Sequence, residues 1–228
     1  MIGTCAWMAH HSGLDIALEN LFYDAALPGF PLRAWPMLEL IGHQVLKVVP
    51  IAIGLATLAA AALAGRIERL RPWRALLWAT FAALCLGPLV VTQLKLVTAP
   101  HCPWDLQMYG GYAAYVDYWF APSRAEAGRC VPSGHAGAGF SLLALYFTGW
   151  AAGRPRLSRW GLSIGIAAGI GFGSLRMVQG AHFLSHTLWA ALIDWLMASL
   201  VFLPFALSRP GQNRASAAPK GPSADPCC

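Results

Sequence analysis

ALLWATFAALCLGPLVVTQLKLV occupies residues 75–97, and Lys95 is its single charged residue. A run of that length satisfies the roughly 20 apolar residues needed to cross the hydrocarbon core of a bilayer. Further apolar runs fall at 41–64, 136–152, 161–178 and 187–207, the third and fourth along the chain being short or rich in glycine. Only 11% of the 228 residues are charged and 57% are hydrophobic, too little polar surface for one soluble domain to cover itself. The expected fold is all-α, a polytopic transmembrane helix bundle with about five spans.

The formal charge of +6 does not gather into a basic face with interleaved aromatics, which argues against nucleic acid as a partner. The basic residues sit in short connections instead. Arg66, Arg69, Arg71 and Arg74 separate the first two runs, Arg154, Arg156 and Arg159 separate the third and fourth, and Arg209, Arg214 and Lys220 follow the last. The positive-inside rule puts these segments in the cytoplasm, so residues 98–135 and 179–186 face the exterior of a bacterial inner membrane. Residues 1–30 lack a basic start followed by an apolar core, so an upstream span missing from the sequence is one reading of the odd span count. Within 14–24, Leu14, Leu18, Leu21 and Phe22 lie near one helical face, with Asp15, Glu19 and Asp24 elsewhere, the pattern of a helix lying in the membrane interface. Residues 1–208 read as one membrane-embedded domain, and 209–228, rich in Pro, Ser, Ala and Gly, as a disordered cytoplasmic tail.

Polar groups at membrane depth are costly, so their placement is informative. They collect at the external ends of the runs: Lys95, then Pro132-Ser133-Gly134-His135, then Arg176, then His182 and His186. Ser133 can cap the helix that follows, and Gly134 lets an anion approach its free N–H groups. Arg176 offers forked donors that fit phosphate, and a neutral imidazole can act as nucleophile or proton carrier. Taken singly, each has a bland reading as a capped helix start, a snorkelling cation or an interfacial histidine.

Together they resemble the type 2 phosphatidic acid phosphatase superfamily over about residues 95–186. Its first motif is a Lys, six residues and Arg-Pro, and here Lys95 precedes Cys102-Pro103. Its second, Pro-Ser-Gly-His, is matched in full by residues 132–135. Its third is Ser-Arg, a His six positions after the Arg, and an Asp four further on; Leu175-Arg176, His182 and His186 hold those places. The form Cys102-Pro103-Trp104-Asp105, with residues 180–186, is similar to a bacterial subgroup associated with lipid A and other envelope lipids.

The resemblance implies hydrolysis of a lipid phosphomonoester or pyrophosphate through a phosphohistidine, with no cofactor and no metal. His182 would be the nucleophile, His135 the general acid and then base, and His186 the partner that fixes the His182 ring. Lys95, Ser133, Gly134 and Arg176 would hold the phosphate. A disulfide between Cys102 and Cys130 would pin the first two motifs together, and Arg129 would restore the charge that Cys102 forfeits. Three other readings stay open: transfer of the phosphate to a second lipid, a non-catalytic lipid-phosphate binder, and a zinc site on His182 and His186 with His135 or His101.

Overall fold

The structure, a computed structural model, describes residues 1–27, 29–40 and 46–208. The expected disordered tail at 209–228 and the start of the first apolar run, 41–45, lie outside the described residues. Among the described residues the fold is all-α, with isolated bridges but no strand. Three N-terminal helices come first, α1 (Ile2–His11), α2 (Leu14–Glu19) and α3 (Pro36–Leu40). A bundle follows, made of α4 (Leu46–Leu63), α5 (Arg74–Lys95), α6 (Gly134–Phe140), α7 (Ala144–Ala151), α8 (Pro155–Met177) and α9 (Leu184–Leu207).

Among the described residues each apolar run lies largely on helix, but two of them differ from simple spans. The third is helical in two pieces, α6 and α7, joined by a 3-10 turn over Ser141–Leu143. The fourth is long enough, yet its glycines hold its hydropathy down. Arg71–Lys95 and Leu184–Leu207 are long and apolar enough to cross a membrane, with Lys47–Leu63 a shorter apolar helix.

The glycines of α8 explain how the site is assembled. Gly161, Gly165, Gly169 and Gly173 recur at four-residue spacing on its buried face, and small residues so spaced let helix backbones approach closely. A Cβ at Gly169 would collide with the Phe140 ring, and one at Gly165 would lie 2.7 Å from Leu143 N. Helical periodicity carries the same buried face on to Arg176. The guanidinium therefore enters the bundle instead of snorkelling outward.

An apolar core of Leu84, Leu142, Phe147, Ala198 and Phe202, among others, packs within the bundle. Phe202, 1% exposed, is held there by van der Waals packing, since between membrane helices the lipid is as apolar as the core. On α9, Asp194 is buried against Gly87 and Gly137, where a side chain would strike its carboxylate.

The N-terminal segment departs from expectation. Its helix ends at Glu19 instead of running to Asp24, and it presents its acids inward: Asp15 is 1% and Glu19 0% exposed, while Leu14 is 44% exposed. The physical reason is that Asp15 finds donors on α9, so burying the acidic face costs less than the hydrophobic pattern implies. Beyond α2, Phe30 packs with Leu106, Tyr109, Ala113 and Phe183, bringing the segment against the loop that precedes α9.

Candidate active site

Each sequence motif has a residue at or beside a helix end. Lys95 closes α5, Ser133 caps α6, Arg176 lies in the last turn of α8, and His182 sits two residues before α9. Ser133 Oγ accepts the Ala136 N–H at 3.4 Å, as a capping residue does.

Backbone bonds and one covalent bond knit the motifs together. The Cys102–Cys130 disulfide is present, with a Cα separation of 5.1 Å. Thr98 Oγ1 donates to the Val131 carbonyl at 2.6 Å, and Cys130 N–H donates to the Pro100 carbonyl at 3.2 Å. The Ser133 N–H donates to the His186 carbonyl at 3.0 Å, tying the second motif to the third. Trp104 N–H reaches the Gly180 carbonyl at 2.9 Å, tying the first to the third. Gly180 has φ +72° and lies tight against the Phe30 ring, so a side chain there would be strained and would clash. With a sequence separation of 28, closing the Cys102–Cys130 loop is worth about 3 to 4 kcal/mol by chain entropy. Replacing both cysteines with serine is expected to lower stability on that scale, read as a lower unfolding midpoint in detergent.

The cationic groups converge. Lys95 Nζ lies 4.0 Å from where a Cβ would stand on Gly134, and Arg176 and Lys47 are within electrostatic reach of Lys95. Arg176 is buried and donates to Gln179 Oε1 at 2.8 Å. His182 is buried, and its ring centroid is 5.7 Å from that of His186. Burial first, then the charges of Lys95, His186, Arg176 and His135, hold the His182 pKa well below its usual 6.5. That ring is neutral at physiological pH. Its Nδ1 lies 3.3 Å from the Cys130 sulfur, so Nδ1 is held against the disulfide and Nε2 is the ring nitrogen left for a substrate. The same sulfur is 3.1 Å from the Ala181 carbonyl; bonded in a disulfide it has no hydrogen to donate, so this is a packing contact.

The structure thus brings together Lys95, Gly134, His135, Arg176, His182 and His186, with Ser133 bonded to the His186 carbonyl. It does not bring Arg129. That residue is exposed, and its guanidinium donates to the Arg124 carbonyl at 3.1 Å on the outer loop, with no part in the charges acting on Lys95 or His182. His186 is buried, and neither ring nitrogen meets a hydrogen-bond partner among the described residues. Among the described residues, the grouping close enough for a metal is Cys102, Cys130 and His182. Both sulfurs are spent in the disulfide, and a metal ligand must be thiolate. His101, the other histidine considered for zinc, instead faces the Tyr112 ring at 5.7 Å.

Sequence reasoning missed four contributors. Trp104 carries two guanidiniums, Arg33 at 4.4 Å and Arg176 at 5.4 Å from its ring centroid. Gln179 holds Arg176, and Asp15 holds Ser185. Trp104 was visible as part of the first motif; Arg33 and Asp15 gave no signal, because distant sequence and irregular backbone bring them in.

No curated protein and no solved structure matches the chain. The model of the PAP2 superfamily matches residues 76–208, more than half of the chain and every convergent residue except those of the N-terminal segment and α4. With that match added to the convergent cationic residues and the paired histidines, the chain belongs to the PAP2 superfamily, whose members are phosphatases acting on phosphate esters.

Proposed function

We propose that the protein is an integral membrane phosphatase that removes a phosphate from an envelope lipid, through a phosphohistidine on His182, at the outer face of a bacterial inner membrane. The observation that carries this reading is the convergence of Lys95, His135 and Arg176 on a buried, neutral His182. In the proposed step, His182 Nε2 attacks phosphorus, the bond to the leaving oxygen breaks, and His135 protonates that oxygen. His135 then takes a proton from water as the N–P bond is cleaved. Lys95, Arg176, Ser133 and the Gly134 amide offset the charge on the non-bridging oxygens. The site as drawn assigns no role to a metal.

Support for a lipid comes from the outside of the bundle. Ile51, Leu55, Trp160, Ile170, Leu200 and Leu207 are large apolar residues exposed on α4, α8 and α9, and a bilayer is the solvent that accommodates them. The arginines at 66–74 and 154–159 support the proposed orientation, because α5 and α8 begin at those arginines and carry Lys95 and Arg176 in their last turns. An apolar groove of about 410 Å³ between α4, α5 and α6 has Lys47 on its lining, a path for a hydrocarbon chain beside the site.

Phosphate release is the test, using phosphatidic acid, phosphatidylglycerol phosphate, undecaprenyl pyrophosphate and lipid A in detergent. Turnover of at least one is expected; inactivity on all four would defeat the proposal. Among the phosphate-binding candidates, Arg176 is the buried guanidinium whose charge acts on both Lys95 and His182. Arg176→Ala is expected to raise KM by about 10-fold or more, the scale of a lost charge-assisted hydrogen bond of 1.5 to 3 kcal/mol. Arg129→Ala should leave KM unchanged, and equal effects of the two would remove Arg176 from the phosphate-binding set.

A further inference from the structure

Asp15 lies outside the family match, on a helix of six residues, yet it is among the most buried groups of the chain. A carboxylate so placed needs donors. It finds them at the start of α9: Oδ1 accepts the Ser185 N–H at 2.9 Å and Oδ2 accepts the Ser185 hydroxyl. His10 of α1 closes the other side, with Nδ1 3.7 Å from Oδ2. Ser185 lies between His182 and His186 in sequence, and the two imidazoles meet edge to face.

Glu19, one turn along α2, shows the contrast. Neither of its oxygens has a partner among the described residues, and burial, with the charge of Asp15, pushes its pKa up to about 9. Burial pushes Asp15 upward too, but His10, His186 and the two Ser185 donors outweigh it and hold its pKa below the ordinary value. Of two adjacent acids, Asp15 is ionised and Glu19 is neutral.

We propose that Asp15 is the positioning carboxylate of the phosphoryl-transfer site: anchored on Ser185, it fixes the 182–186 turn and sets a negative charge beside His186, the imidazole that meets the His182 ring. Positive charge develops on the His182 ring beyond it as Nε2 bonds to phosphorus while Nδ1 keeps its proton. The position four after His182, where a carboxylate could meet the ring directly, holds His186, which has none to offer. The inference rests on His182 being the nucleophile.

The test uses the full chain in detergent with dioctanoyl phosphatidic acid as the probe. Asp15→Asn keeps the shape and removes the charge; kcat is expected to fall about 10- to 100-fold with KM unchanged, the scale on which outer partners of a reactive histidine act. Adding His186→Asp to Asp15→Asn should recover most of the loss, by returning a carboxylate to the His182 ring. Glu19→Gln, neutral before and after, should leave kcat unchanged. A merely structural Asp15 would lower the unfolding midpoint and would not be rescued from position 186. Wild-type kcat in Asp15→Asn, no recovery in the double variant, or an equal loss in Glu19→Gln would each overturn the proposal. If Asp15→Asn does not fold, Ser185→Ala decides: it removes one donor to Asp15, so reduced kcat at constant KM upholds the proposal and unchanged kcat overturns it. Full turnover in His182→Ala would instead defeat the phosphohistidine reading beneath it.

Discussion

His182→Ala is expected to abolish turnover, with a loss on the order of 10⁴-fold or more, because it removes the atom that bonds to phosphorus and not merely a group that assists. The buried, neutral ring with Nδ1 against the Cys130 sulfur leaves Nε2 as the available nucleophile. A lost nucleophile also leaves a chemical trace. Brief exposure of the wild type to a ³²P-labelled lipid phosphate, followed by an alkaline quench, should give acid-labile, alkali-stable label on the peptide holding His182. The His182→Ala protein should carry none, while still binding the lipid through Lys95 and Arg176. Near-normal turnover in that variant, or label on another residue, would refute the covalent route and leave direct attack by water as the mechanism.

Much of this site was legible in sequence because its residues stand at helix ends, where periodicity and polarity change together. Lys95, Ser133, Arg176 and His182 stood out against an apolar background, and the structure places each at or beside such an end. The Cys102–Cys130 pairing was legible for the same reason, since the motifs flanking those cysteines have to meet. What could not be read depended on irregular backbone. Arg129 and Arg33 are equally plausible cations in a string of letters, but Arg129 turns to the Arg124 carbonyl while Arg33 stacks on Trp104. The N-terminal helix misled for a different reason. Hydrophobic periodicity assumes that acids face water, and it fails where a neighbouring helix start offers donors, as Ser185 offers them to Asp15. The third and fourth apolar runs were weak in sequence because close packing across the α8 glycines trades hydropathy for backbone proximity.

His135→Ala is the second large effect, and its size should depend on the leaving group. His135 is the second residue of α6 and one of the groups whose electrostatics bear on His182. As general acid it supplies the proton that an alkoxide leaving group needs, so the loss on a lipid phosphate should be about 10²- to 10⁴-fold. An aryl phosphate such as p-nitrophenyl phosphate leaves without protonation. On that substrate the first step should be far less impaired in His135→Ala, and the loss should shift to the second step, where the same imidazole activates water. The phosphoenzyme should then accumulate. Mixing His135→Ala with p-nitrophenyl phosphate in a stopped-flow device should show a burst of nitrophenolate close to one equivalent of enzyme, followed by a slow steady state. Wild type should show a smaller burst or none. If the loss in His135→Ala is the same for alkyl and aryl leaving groups and no burst develops, His135 is not the proton carrier. Its part would then be limited to binding, alongside Ser133 and Gly134 at the start of the same helix.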